Sequence, residues 1–304
     1  MIESEASSIV PADTRISFLA MLGYLLAASL LIALCGGAVV IGKQLLFGPA
    51  PPMVEGAAWP LSVWVAYVAL ALAVLAAYGL QGRLVEHRPR RELALDRAPG
   101  ELLLGAATGI ALAFSIVLLL WVTGCYRIAD WRGPADLAAP TLMAIGAGLM
   151  EEILVRGFVL GLIQRWGGSV LALVLSSILF GGLHIANPGA GLWPVAALSL
   201  GAGMALAAAT LATGRLWLPI GLHFGWNFGQ SGLFGLSDSG TSFPSLIDAR
   251  VTGPAWLTGG AFGPEASLPG LAIWVLFGSF LLARAVRSGR IVPWRPSPVL
   301  EVSC

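Results

Sequence analysis

The chain has 304 residues, 57% hydrophobic and 11% charged, with a net charge of +1 and a mean hydropathy of +0.85. Soluble globular domains carry about 25% charged residues, so a large soluble core is excluded and a polytopic membrane protein is expected. Near-zero net charge gives no basis for a nucleic-acid partner. The fold class read from this composition is all-α, a polytopic membrane helical bundle with about eight transmembrane helices.

The N-terminal segment MIESEASSIVPADTR is acidic and polar. A cleaved signal would open on a basic segment, so none is expected. A span needs about 20 mainly apolar residues. Candidates cover 17–47, 59–81, 100–124, 137–164, 168–186, 190–213, 216–234 and 268–287. Gly36-Gly37 is placed to bend or interrupt the first. The loop GRLVEHRPRRELALDRAP, 82–99, is strongly basic. The longest connection, 235–267, is rich in Gly, Ser and Pro and reads as an irregular loop. Three parts follow: 1–136 with helices 1–3 and the basic loop, a core at 137–234, and 235–304 with a loop, a last helix and a basic tail.

Orientation follows from the basic residues. Arg83, Arg88, Arg90, Arg91 and Arg97 share a side with Arg15, Arg165, Arg215, Arg284, Arg287, Arg290 and Arg295. The other side carries Arg127, Arg132, Arg250 and Lys43. Both termini are therefore expected in the cytoplasm. Arginine replacing lysine almost everywhere points to a GC-rich, bacterial source and so to the inner (plasma) membrane. Cys35, Cys125 and Cys304 show no disulfide, zinc or redox spacing. The C-terminal EVSC is no prenylation box, since that needs its cysteine four residues from the end.

Ionisable residues inside a membrane cost at least about 2.5–3.5 kcal/mol each, which makes them functional candidates. They gather in three places. In AGLMEEILVRGFVL, 147–160, Glu152 and Arg156 are i,i+4 and can pair on one face. Glu151 points about 100° away. A buried ion pair that fixes packing explains Glu152 and Arg156 but leaves Glu151 over. In SSILFGGLHIANP, 176–188, Phe180 and His184 share a face. In RLWLPIGLHFGWNFG, 215–229, His223 and Asn227 do the same. Each of the last two, alone, reads as packing or interhelical glue.

Together they form a hydrolytic set. Glu151, His184 and His223 suit one divalent metal such as zinc, with a position left for water. Alternatively, Glu151 acts without metal as general base on a water oriented by His184, with His223 and Asn227 as oxyanion donors. No H-E-x-x-H, G-x-S-x-G or P-loop competes.

The ordered motifs EEILVR (151–156), FGGLH (180–184) and HFGWN (223–227) resemble those of the CPBP intramembrane protease family. That family includes type II CAAX prenyl endopeptidases and bacteriocin-processing or immunity-type proteins of the Abi group. The resemblance covers roughly 137–234. It implies that Glu151 and His184 activate water, that His223 and Asn227 stabilise the oxyanion, and that Glu152 and Arg156 form a supporting pair. It also implies a peptide or membrane-protein substrate, with the lipid bilayer as surroundings. Two other classes stay open from residues alone: a non-catalytic immunity factor or membrane scaffold, and a proton-coupled transporter. His184 falls late in its span and His223 early in one that runs the same way. Bent or re-entrant helices are needed for them to meet.

Overall fold

The computed structural model describes residues 16–47 and 60–294. The N-terminal segment, Arg15, Arg295 and Cys304 lie outside the described residues. Among those described, long helices dominate: α1 (Phe18–Phe47), α2 (Leu61–Leu84), α3 (Ala98–Val122), α4 (Ala138–Glu151), α5 (Gly161–Gly182), α6 (Leu192–Leu198), α7 (Met204–Thr213), α8 (Trp217–Asn227), the short α9 (Ala255–Thr258) and α10 (Leu268–Arg287). Their composition explains them. Leu and Ala are strong helix formers, and in lipid the helix is the one open structure that satisfies its own backbone polar groups. Their outer faces are apolar: Leu19, Leu26, Leu34, Leu103, Leu104, Leu276 and Phe280 are all exposed. The chain is an integral membrane protein.

The expected count of spans needs correction. Among the described residues six helices are long and apolar enough to cross a membrane, against eight expected. The fourth and fifth expected spans lie in one helical run, Pro134–Gly182. Gly168, at φ +83°, breaks it. The arm from 169 to 182 rises only about 21 Å at 1.5 Å per residue, short of the roughly 30 Å hydrocarbon core. The seventh expected span is α8 and its continuation Phe228–Leu233, also too short to count. A helical path that need not cross the whole bilayer can stop with its histidine at depth. Gly36-Gly37 do not interrupt α1, which is continuous.

Three stretches relax to π-helix: Glu152–Leu160 after α4, Ser199–Gly203 between α6 and α7, and Phe228–Leu233 after α8. Such segments concentrate at functional sites, and the first carries Glu152 and Arg156.

α8 is held by a reciprocal small-residue seam. Gly105 and Gly109 of α3 face Gly221 and Gly225 of α8. A Cβ on Gly105 would lie 2.5 Å from the Leu218 carbonyl oxygen, and on Gly109 2.3 Å from that of Leu222. A Cβ on Gly221 would lie 2.4 Å from the Leu102 oxygen, and on Gly225 2.1 Å from that of Ala106. Each helix thus presents a G-x-x-x-G face that brings the backbones together. His223 is two residues from each glycine of α8, about 200° around the helix. The glycine face meets α3, so His223 and Asn227 point the other way. Gly225→Val is expected to destabilise by about 1–3 kcal/mol or more through overpacking. Gly79→Ala, where a Cβ meets nothing within 4 Å, is the neutral control. Thermal unfolding of the purified proteins in detergent measures both.

The basic loop is an ion-pair cluster. Glu86 pairs with Arg88 at 3.0 Å, with Arg90 at 2.6 Å, and with Arg165. Arg88 also pairs with Glu92 at 2.9 Å, and Glu92 accepts a hydrogen bond from the Tyr78 hydroxyl. Burial pushes the Glu86 carboxyl up, yet the guanidinium groups of Arg90, Arg88 and Arg165 hold it below its usual range on balance.

The long connection is largely irregular, as expected, but it carries one strand and two short helical turns. Its strand β2 (Ile247–Val251) pairs antiparallel with β1 (Tyr126–Trp131), which follows α3. The Tyr126 hydroxyl donates to the Phe234 carbonyl at 2.9 Å. This ribbon is what departs from all-helix, and no local alternation in the sequence announces it. It anchors the connection so that its first residues lie over the helical core.

Candidate active site

Packing places α2, α4, α5, α7, α8 and α10 around one pocket. Its volume is about 440 Å³, within the range of small-ligand sites. Glu151, His184, His223 and Asn227 all line it.

Glu152 and Arg156 sit behind the pocket, both side chains fully buried, with Arg156 Nη1 2.9 Å from Glu152 Oε1. Arg156 also donates from Nη2 to the Gly203 carbonyl at 3.0 Å, and its guanidinium lies 4.3 Å from the centre of the Phe180 ring. One arginine therefore ties the π-segment after α4 to the α6–α7 junction and to α5. Phe180 is the hub. Its ring centroid is 5.2 Å from that of His184 and 5.7 Å from that of His223. The two histidines thus meet across one phenylalanine, despite their different positions along their spans.

Hydrogen bonding assigns the ring nitrogens. His184 Nδ1 lies 2.8 Å from the Phe180 carbonyl, which only accepts, so Nδ1 carries the proton. In neutral His184 the Nε2 lone pair faces the pocket. It lies 3.9 Å from Glu151 Oε2. Glu151 Oε2 is itself buried and accepts no hydrogen bond. Two acceptors confront each other, an arrangement that a donor of two protons satisfies. His223 Nδ1 lies 2.9 Å from Glu152 Oε1, the same oxygen that receives Arg156. Glu152 therefore serves His223 as well as Arg156, a contact the helix spacing alone does not reveal. Glu151 and His184 remain 21% and 13% exposed, against 0% for Glu152 and Arg156. This exposure separates the reacting pair from the buried support.

Glu151, His184 and His223 do not assemble into a cage. Among the described residues no three His, Cys, Asp or Glu side chains are grouped to hold a metal ion. The Nδ1 of each histidine bonds a protein acceptor, which leaves Nε2 as the nitrogen open to a ligand.

The connection after α8 adds residues that motif reading missed. Asp238, Ser239, Thr241, Phe243 and Glu265 line the same pocket, as do Trp64 and Tyr67 of α2 and Asn187. Asn187 Nδ2 donates to the Ser239 carbonyl at 2.9 Å. Glu265 accepts from Gln230 Nε2 at 2.7 Å and from the Ser239 backbone N–H at 2.5 Å. Burial raises the Glu265 carboxyl to about 7 against these donors. Burial also pushes Asp238 well above its usual range, reinforced by the charges of Glu265 and Glu151. The signal available was the isolated acids in SDSG and GPEAS, but nothing in a polar loop marks one acid as buried.

A helical integral membrane protein with a Glu/His pocket is the class that fold and site define. Residues 133–229, roughly a third of the chain, match the family described as Type II CAAX prenyl endopeptidase Rce1-like. All three motifs fall inside the matched segment, so this core is similar to the family that the motifs resemble. No curated protein and no solved structure matches the chain.

Proposed function

We propose that the protein is an intramembrane endopeptidase that hydrolyses a peptide bond of a membrane-associated protein or peptide. The observation that carries this is Glu151 Oε2, buried and without a hydrogen bond, facing His184 Nε2 across 3.9 Å. A water between them gives one proton to each acceptor and turns a lone pair outward. As its oxygen bonds to the scissile carbonyl carbon, Glu151 takes the proton as general base. The carbonyl oxygen becomes an oxyanion. Asn227, which lines the pocket from the face of α8 that also carries His223, offers an amide donor to it. His223 joins Asn227 when it holds both ring protons, its charge offset by Glu152. The C–N bond then breaks, Glu151 passes its proton to the leaving amine, and the carboxylate is restored. Atoms and charge balance without a further reagent.

In this reading Glu151, His184, His223 and Asn227 touch the reacting atoms, and Glu152 and Arg156 are positioning residues. The match of the core to a prenyl endopeptidase family supports peptide hydrolysis as the reaction class. A bacterial plasma-membrane location with both termini cytoplasmic is part of the proposal.

The test uses purified protein in liposomes with a mixture of membrane-derived peptides, and mass spectrometry as readout. His184→Ala is expected to lower cleavage by about 10²-fold or more while the folded protein is recovered. Dialysis against a chelator is expected to leave cleavage unchanged. Full activity in His184→Ala would remove it from the mechanism, and activity lost to chelation and restored by zinc would establish the metal route instead.

A further inference from the structure

The pocket contains more acid than peptide hydrolysis requires. Three acidic side chains line it, from Glu151, Asp238 and Glu265, and among the described residues no lysine or arginine does. Glu151 has a role above. Glu265 is occupied: Oε1 takes the Ser239 N–H and hydroxyl, and Oε2 takes Gln230 Nε2. Asp238 is the exception. It is 5% exposed, and its Oδ2 is buried with no partner. Its backbone is clamped: its N–H donates to Thr241 O and its carbonyl accepts from Thr241 N–H, each at 2.8 Å. Gly240 N–H is bound to Phe262 O at 2.6 Å. A carboxylate held this firmly in a closed site, with no group of the protein to answer it, is costly. Such groups persist at sites where a ligand supplies the missing partner.

We infer that Asp238 is a specificity residue, which receives the ammonium or guanidinium of a lysine or arginine side chain of the peptide, close to the scissile bond. This rests on the endopeptidase reading above. A pocket whose charge-bearing lining, among the described residues, is acids and histidines suits a positive ligand better than a negative one. Aromatic walls add to it: Trp64 and Phe243, with centroids 5.1 Å apart, line the same space, and a cation on an aromatic face is favourable. A divalent metal fits less well, because Glu265 has no free oxygen to share and the described residues form no metal-holding group. One free carboxylate suits one singly charged group.

The test compares two capped peptides, identical except for lysine against norleucine at one position, scanned through the three residues on each side of the bond. With wild-type protein in liposomes, kcat/KM for lysine is expected to exceed that for norleucine about 10- to 100-fold at one position. In Asp238→Asn that ratio falls at least tenfold, and Asp238→Glu recovers part of it. Equal rates for the two peptides at every position, or a ratio kept in Asp238→Asn, would overturn the assignment. Binding of the same peptides to Glu151→Gln, followed by tryptophan fluorescence, separates the two readings. A lysine preference there that Asp238→Asn abolishes supports the cation site even if no cleavage is found, and its absence there rejects the site even if cleavage is found.

Discussion

Replacing Glu151 by glutamine is expected to lower peptide cleavage by about 10²–10⁴-fold, the usual range for a general base, while the helices still assemble. The reason is the division within one dipeptide. Glu152 is sealed behind the pocket and shared between Arg156 and His223. Glu151 opens onto it with an oxygen that no protein donor satisfies. Glutamine keeps the volume and one acceptor but cannot take a proton from water. Because no buried charge pair is broken, thermal unfolding should move little. Cleavage rate and unfolding temperature of the same preparation are the two readouts. A rate within twofold of wild type would take the base role away from Glu151.

Arg156→Met is expected to act in the opposite way, on stability first. Removing one member of a fully buried pair leaves Glu152 with only its contact to His223, a loss of about 3–5 kcal/mol. It also removes the bond to the Gly203 carbonyl and the contact with the Phe180 ring. Phe180 supports both histidines, so activity falls with stability. The double change Glu152→Gln and Arg156→Met removes both charges but keeps an acceptor for His223 Nδ1. It is expected to regain at least half of the lost stability, since a buried ion pair replaced as a whole is often near neutral. Activity should stay low, because nothing then balances a doubly protonated His223. A single change that costs under about 1 kcal/mol would contradict the buried-pair account.

Much of the site was legible in the sequence for a specific reason. A charge in an apolar run costs free energy, so Glu151, Glu152, Arg156, His184 and His223 stood out against their surroundings. The i,i+4 spacing of Glu152 and Arg156 made their pairing readable, and the pairing is present at 2.9 Å. What spacing could not show is any partner from another helix. The Glu152–His223 contact joins residues 71 apart in sequence and appears only once α8 is docked. The seam that docks it, GAATG at 105–109 against GLHFG at 221–225, was visible as a pattern. Its partner choice was not.

Other features were hidden by the signals themselves. Hydropathy counts apolar residues and is blind to Gly168, whose positive φ divides one long run into two arms. The loop 82–99 read as strongly basic, and the structure pairs its Arg88 and Arg90 with Glu86 and Glu92. Asp238 and Glu265 lie in a Gly/Ser-rich connection, where acids are ordinarily solvated. Only the ribbon of β1 and β2, pairing residues more than a hundred positions apart, brings them over the core.

The most direct test of Glu151-dependent proteolysis compares the membrane peptides of cells carrying the wild-type gene with those of cells carrying Glu151→Ala at equal protein levels. The expected result is a set of new peptide termini present in wild type and lost in Glu151→Ala, with the uncut precursors accumulating in their place. Identical peptide profiles in the two strains, with both proteins folded in the membrane, would contradict the assignment of this pocket as a peptidase site.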